Sequence, residues 1–405
     1  MRWLALLKWQ RLLIWTMCGT PHGKGDSRTM QNRLISTVGT SVITNIKNEY
    51  RADSGVSQEV HAELQRFLGE KNWGQLARVL AQVEPSARIC GAEINSVAEL
   101  VKRGRIELRH IHFLVSNTDD GQNVGDLLES YFTERVGRDL PDLETVEYHI
   151  IEGLQDAQPA RFKTDGLRNL VRQIGDLVQR YQRETILIDA TGGYKAQIAI
   201  AVVFGQALEI PVLYRFERFS EIINIPPMPI AFDYQVLGEN ADVLAFFERG
   251  ATVTLAETQD VDDKLRILLE EVEIDGEVHV GLGAVGQIYL TGFRLRFPRD
   301  LTLSPVAPSE KRPPSFRDDH YPDGFKEFVQ RVCAEVPWIK TAHSLPYDRQ
   351  RTIRGTTFYV YQGKLIGTYQ DRNRFGARFE ILTNAATLDQ LAWAADQLNQ
   401  FYGSD

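Results

Sequence analysis

The sequence predicts an α/β fold built on a parallel sheet, followed by a smaller helical and β unit and then a small α+β C-terminal domain. Three observations predict it. From residue 33 to 235, strand-length apolar runs alternate with stretches of helical periodicity. Two of those runs open into short glycine- and hydroxyl-bearing loops, Ser36-Thr37-Val38-Gly39-Thr40-Ser41 and Asp189-Ala190-Thr191-Gly192-Gly193-Tyr194-Lys195. A stretch rich in proline, serine and charge, 304–324, then sets the last unit apart.

Within the first unit, 30–236, the strands are expected at 33–38, 107–116, 145–152, 185–189 and 212–217, where apolar and β-branched residues cluster. Helical spacing of apolar residues fills the gaps at 56–83, 97–102, 125–136, 164–183 and 194–208. The segments 223–228 and 230–234, split by prolines, are expected as a short edge hairpin.

The second unit, 237–303, has helical spacing at 241–249 and 261–271, and strand-like segments at 277–280 and 287–289 around a glycine-rich turn. Helix, helix and wing make it a winged-helix-like unit. Asp260, Asp262, Asp263, Glu270, Glu271, Glu273, Asp275 and Glu277 outweigh Lys264 and Arg266, so it would repel a phosphate backbone. A connector or dimerisation role is expected of it. The last unit, 325–405, reads as a helix at 325–336, a polar loop, strands at 356–361, 364–369 and 378–382, and a closing helix at 388–401.

Hydrophobic content of 43% and charge of 25% over 405 residues are those of a globular protein of two or three domains, and they exclude disordered and collagen-like classes. The formal net charge of −8 argues against a chain-wide coat for nucleic acid, so any RNA contact needs a local basic patch. Cys18, Cys90 and Cys333 are too few and scattered for a disulfide framework or a thiolate zinc site, which fits a cytoplasmic protein. Met1 to Cys18 is apolar and tryptophan-rich, but Lys8, Gln10 and Arg11 interrupt it. It suits neither a secretory signal nor a membrane span. Residues 1–29 are expected to be a non-structural extension with the true start at Met30; a membrane-surface helix is the other reading.

Parallel sheets bind ligands beyond the carboxyl ends of their strands, where backbone N–H groups face anions. Gly39, Thr40 and Ser41 offer close backbone approach and two hydroxyls at one such edge; Gly192, Gly193 and Lys195 offer the same approach and a cation at another. Turn-making and helix-capping explain either loop alone, and the pair together point to a nucleotide sensor. Neither loop is a standard mononucleotide fingerprint. Gly281-Leu282-Gly283-Ala284-Val285-Gly286 has the Gly-x-Gly-x-x-Gly spacing, but it is expected in a hairpin and is discounted.

Val38-Gly39-Thr40-Ser41 and Thr191-Gly192-Gly193-Tyr194-Lys195, with Gly91-Ala92-Glu93-Ile94-Asn95-Ser96 between them, resemble the CARF domains of type III CRISPR defence. That resemblance, over 33–235, implies a Rossmann-like homodimer that binds one cyclic oligoadenylate across its axis and switches on an attached effector. By position, Gly39, Thr40, Ser41, Gly192, Gly193 and Lys195 would hold the ring's phosphates and sugars. Asn117 and Thr118 are candidates for an adenine pocket, with a plain loop as the alternative. Some relatives also cleave the ring through a ribose 2′-hydroxyl, and Ser41 and Lys195 are where this chain could support that attack.

For the effector, no arginine stands four to six residues before His320 or His343, as a HEPN ribonuclease would need, and no Glu-x-Lys or Asp-x-Lys follows residue 305, as a restriction-type nuclease would need. Between Trp338 and Arg378 there are instead Lys340, Arg349, Arg351, Arg354, Lys364, Arg372, Arg374 and Arg378 against Asp348 and Asp371. Tyr347, Tyr359, Tyr361, Tyr369 and Phe375 are interleaved and could stack on bases. A charged strand face over an ordinary aromatic core is the plainer account. In size and element content the unit resembles the RelE-like mRNA interferases, although the helical hairpin that opens that fold is reduced here to 325–336. The resemblance implies metal-independent RNA cleavage and makes Lys340, His343, Arg349, Arg351, Arg354, Arg372, Arg374 and Arg378 the catalytic candidates.

The expectation is therefore a cytoplasmic homodimer, with no metal or cofactor, activated by a cyclic oligoadenylate of which cyclic tetra-adenylate is the first candidate. Its effector would cleave RNA, with mRNA on the ribosome as the candidate target. A stand-alone ring nuclease and a transcription regulator that binds DNA through the winged-helix-like unit are the alternatives.

Overall fold

The computed structural model describes residues 30–136, 138–216, 221–228, 233–258, 263–274, 276–296, 303–317, 320–346, 353 and 355–404. The expected extension at 1–29 lies outside these residues, as do Ile230, Tyr347, Arg349, Arg351 and Arg354.

The first sheet contains β1 (Arg33–Thr37), β2 (His110–Ser116), β3 (Thr145–Ile151), β4 (Ile186–Asp189), β5 (Val212–Arg215) and β6 (Ile222–Ile225). Its order is β3–β2–β1–β4–β5–β6, and every pairing is parallel except β5 with β6. All five residues of β1 are buried, as a central parallel strand requires. Alternate residues serve opposite faces: Leu34, Ile111 and Phe113 join one core, whereas Ile35, Leu114 and Ile188 join the other.

Helices α1 (Ser41–Lys47), α2 (Gln58–Gly69), α3 (Trp73–Leu80), α4 (Gly91–Lys102) and α5 (Asp119–Arg135) supply buried apolar side chains to the first core, and α6 (Leu167–Tyr181) and α7 (Lys195–Leu208) supply the second. A parallel-dominated sheet with helices on both faces fits a Rossmann-like α/β fold.

Several boundaries differ from expectation, each for a local reason. The single helix expected at 56–83 is two, because Lys71 takes a positive φ of 51° and the Asn72 side chain caps the next helix by accepting from Gln75 N–H at 3.3 Å. The helix expected from 97 starts at Gly91, and the one expected from 125 starts at Asp119 behind a Thr118 cap. An edge hairpin forms between β5 and β6; of the second arm expected at 230–234, residues 230–232 lie outside the described residues, and Tyr234 opens α8 (Tyr234–Glu239).

Next come α9 (Ala241–Glu248), β7 (Val253–Thr254), α10 (Asp263–Arg266), β8 (Leu269–Ile274), β9 (Glu277–Leu282) and α11 (Ala284–Arg296). The antiparallel sheet they enclose runs β7–β9–β8. Expected helix 261–271 thus ends at Arg266, because 269–274 pairs along its whole length with β9. The expected strand at 287–289 lies inside α11, so Gly281–Gly286 does occupy a strand-to-helix junction, contrary to its expected place in a hairpin. Its glycines serve packing. Gly283 N–H donates to Leu268 O at 3.0 Å, and a Cβ on Gly286 would strike that same carbonyl.

The C-terminal domain holds α12 (Phe325–Glu335), β10 (Ile339–Ser344), β11 (Phe358–Tyr361), β12 (Lys364–Gln370), β13 (Gly376–Thr383) and α13 (Leu388–Tyr402). The sheet is antiparallel in the order β10–β13–β12–β11, over a core that includes Phe325, Phe358 and Phe379. Strand β10 was expected as a polar loop; buried Ile339 and Ala342 anchor it. In the expected linker, Arg312 N–H donates to Lys340 O at 2.9 Å and Ser315 N–H to Ala342 O at 2.9 Å, so the chain runs along the β10 edge.

Arg294 of α11 connects the two C-terminal units. It bonds Glu248 of α9 at 2.6 and 2.9 Å and Asp396 of α13 at 2.6 to 3.1 Å. From the first unit, Arg172 of α6 donates to Gln287 on α11 at 3.1 Å and to Glu248 O at 2.7 Å.

Candidate functional site

The reversal of strand order in the first sheet falls between β1 and β4, and the two glycine loops follow those two strands. Such a switch point leaves a crevice at the carboxyl edge of the sheet. The loops touch: a Cβ on Gly39 would lie 2.9 Å from Gly193 N. Gly193 also has φ 98°, where a side chain is strained. Thr37 joins the loops further by donating its hydroxyl to Gly192 O at 2.6 Å.

At their centre sits Glu93 in the first turn of α4, only 1% exposed. Its Oε1 accepts Gly39 N–H at 2.7 Å and its Oε2 accepts the Ser41 hydroxyl at 3.1 Å; Ser41 Oγ in turn accepts Ala92 N–H at 2.8 Å. Burial pushes the Glu93 carboxyl up to about 7, against the opposing effect of these bonds. A Cβ on Gly192 would strike Glu93 Oε1, so the glycine makes room for the carboxylate.

A second buried carboxylate, Asp189 at the end of β4, holds the other loop. It accepts from the Thr191 hydroxyl at 2.5 Å and from Thr191 N–H at 3.2 Å, and burial raises its pKa. Thr191 Oγ1 also lies 3.2 Å from Ser96 Oγ and accepts Arg215 N–H at 2.9 Å, which binds the loop to α4 and β5.

A cavity of about 660 Å³ opens beside Ser41, lined also by Asn45, Asp53, Ser86, Arg88, Gly91, Ala92, Asn95 and Arg215. Of the sequence-derived site residues, Gly39, Ser41, Gly192 and Gly193 come together, and Ser41 reaches the cavity. Thr40 is exposed just before α1, and Lys195 is exposed at the first position of α7. The Thr118 hydroxyl accepts Gly121 N–H at 3.0 Å as the cap of α5. The backbone N–H of Asn117 donates to Leu154 O at 3.1 Å.

Sequence reasoning missed Glu93, Asp189, Arg88 and Arg215 as site residues. Glu93 lay within a quoted segment but reads in sequence as an ordinary first-turn acid. The available signal for Arg215 was a charged residue closing a buried parallel strand.

The C-terminal candidates are spread out. Lys340 and His343 lie on β10, where Lys340 Nζ is 3.9 Å from Glu310 and His343 Nδ1 is 2.6 Å from Ser315 Oγ. Arg378 on β13 donates to Pro346 O at 3.3 Å. It lines a cleft of about 310 Å³ with His320, Tyr321, Leu345 and Phe375. Arg372 and Arg374 stand in the turn after β12, which Asp371 holds by accepting from Asn373 and Phe375 N–H. Arg349, Arg351 and Arg354 lie outside the described residues.

Among the described residues, one cluster has metal-binding side chains in reach of one another: His112, Glu147 and His149, with ligand atoms 3.2 to 3.9 Å apart. Arg33 donates to His112 Nε2 at 2.9 Å, so the neutral ring carries its hydrogen on Nδ1, the atom that would face a metal. Burial and neighbouring positive groups hold His112 down to about 3, in its neutral form. The cluster is a hydrogen-bonded network around β2 and β3.

Residues 88–228 match the family model described as "CRISPR-associated protein (Cas_APE2256)". No curated protein matches the chain. A solved structure titled "Crystal structure of protein VC1899 from Vibrio cholerae" is similar at 11% identity, over 72% of this chain and 75% of that one, with a TM-score of 0.24. No helix among the described residues is long and apolar enough to cross a membrane. The family match takes in α4, the second glycine loop and Arg215, and it supports a CRISPR-associated protein with a role in CRISPR defence.

Proposed function

We propose that the chain is a homodimeric sensor of cyclic oligoadenylate whose ligand switches on RNA cleavage by the C-terminal domain. The observation that carries this reading is the meeting of two glycine loops, through Glu93, at the switch point of a parallel sheet. The crevice at such a switch point is where parallel sheets receive nucleotide ligands, and its polar walls suit a phosphodiester ring better than an apolar ligand. The CRISPR-associated match over 88–228 supports a role in CRISPR defence, the setting of this reading.

In the second unit, the order β7–β9–β8 behind α9 supports a winged-helix-like module. Glu270, Glu271, Glu273 and Glu277 on its strands favour a connector over a DNA reader. For the effector, the support is a small antiparallel sheet carrying Lys340, His343 and Arg378, beside a cleft that contains Phe375. RNA cleavage by such a RelE-like surface would use cations to neutralise the phosphate and His343 or a lysine to move protons.

The test is incubation of the purified protein with labelled single-stranded RNA in EDTA, and separately with translating ribosomes, each with and without cyclic tetra-adenylate. Cleavage only with the ring supports the reading. RNA that survives while the ring is bound or linearised favours a stand-alone ring nuclease or a regulator. In the Arg349→Ala/Arg351→Ala/Arg354→Ala variant, lost cleavage with intact ring binding assigns those arginines to the effector.

A further inference from the structure

We propose that the cavity beside Ser41 is an anion pocket in which Arg215 is the counter-charge for a ligand phosphodiester. Among the described residues, no acidic side chain pairs with the guanidinium of Arg215. Arg215 closes β5, is 7% exposed, and its Nε is buried without a hydrogen-bond partner. Its only bonds among the described residues are backbone ones, including N–H to Thr191. A buried, unpaired cation is costly, and folded proteins keep such groups paired. The missing partner has a place to sit, because Arg215 lines the 660 Å³ cavity.

The other charges of the lining offset one another: Arg88 lies 3.6 Å from Asp53, which Arg51 also pairs at 2.9 Å. The volume suits a nucleotide-sized group. The remaining lining narrows its chemistry. Asn45 gives its amide N–H to Arg88 O at 2.7 Å, and Asn95 gives its own to Pro85 O and Ala87 O, at 2.5 and 3.0 Å. Both amides thereby keep a carbonyl oxygen to accept from an exocyclic amine, the group that adenine carries and a bare phosphate lacks. The pocket would thus read a phosphate through Arg215 and a base through the two asparagines, at a place distinct from the exposed Lys195 edge.

The identity of the ligand rests on the cyclic-oligoadenylate reading; the need for an anion does not. The experiment measures binding of cyclic tetra-adenylate by calorimetry, and melting with and without the ring or pyrophosphate, for the full chain and for Arg215→Met and Arg215→Lys. We expect Arg215→Met to bind the ring at least about 30-fold more weakly, with Arg215→Lys in between. Without ligand, Arg215→Met should melt no lower than the wild type, since it removes an unpaired buried charge. Equal ring binding by Arg215→Met overturns the proposal, as does a loss of ligand-free stability with affinity unchanged in Arg215→Lys. If the wild type binds no ring, the sensor reading fails and pyrophosphate decides: stabilisation that depends on Arg215 upholds the anion pocket, and its absence overturns it.

Discussion

The crevice edge of the first sheet and the basic face of the C-terminal sheet handle charge in opposite ways. At the crevice, Glu93, Asp189 and Arg215 are all below 10% exposed, and the two carboxylates are fixed by hydroxyls and backbone N–H groups. On the C-terminal sheet the charges sit near the surface and meet acids there, as Lys364 meets Glu380 at 2.9 Å with the lysine side chain 57% exposed. The first arrangement is preorganised, so its geometry barely depends on solvent. The second is an adaptable surface, whose attraction for a polyanion is long-ranged and screened by salt. Recognition of one small ring would need the former, and capture of a flexible RNA strand would need the latter.

The largest effect should come from a part-buried charge outside both regions. Arg294→Met leaves Glu248 and Asp396 facing each other unpaired, and should lower stability by about 3–5 kcal/mol in urea unfolding. A loss below 1 kcal/mol would show that this triad is no stronger than the surface pairs.

Glu93 should come next, and its sign is opposite to that of an ordinary ion pair. Its folded pKa of about 7 lies above the ordinary 4.5, so its folded form holds a proton that the unfolded chain releases. The carboxyl therefore does no harm below pH 4.5, and stability falls as pH rises to about 7, by up to about 3 kcal/mol. Glu93→Gln stays neutral, so unfolding curves between pH 4.5 and 8 should show the wild type losing ground to the variant over that window. Parallel pH profiles would show that Glu93 is already ionised in a solvated site.

Gly192→Ala should cost about 1–3 kcal/mol and abolish ring binding, because its Cβ has Glu93 Oε1 and Thr37 O in its way. Gly74→Ala in α3, where a Cβ meets nothing within 4 Å, should instead stabilise by about 0.5–1 kcal/mol. The smallest effect belongs to Lys364→Ala, at most about 1 kcal/mol, since its ion pair with Glu380 is exposed. A larger loss would place the basic face in the preorganised class.

Much of the fold was legible because parallel strands buried on both faces leave a strong mark. The runs at 33–38, 145–152 and 185–189 match β1, β3 and β4 to within a residue. Legibility failed where the pattern was ambiguous. Leu269, Val272 and Ile274 suit either period, and only pairing with β9 makes them a strand. Strand β10 mixes Lys340, Thr341, His343 and Ser344 with few apolar residues, so its edge-strand character comes from β13 beside it and the 312–315 segment along it.

The sequence by itself determined the two glycine loops and the strand endings that carry them, because backbone approach and local turn geometry are properties of the residues at hand. Only the tertiary structure decided that the loops adjoin, since that depends on β1 pairing with β4 across 150 residues of chain. It also decided which charges matter at the site. Glu93 and Arg215 look like any acid and base in the sequence; burial against Gly39 and Ser41, or at the wall of an open cavity, gives them their energetic weight.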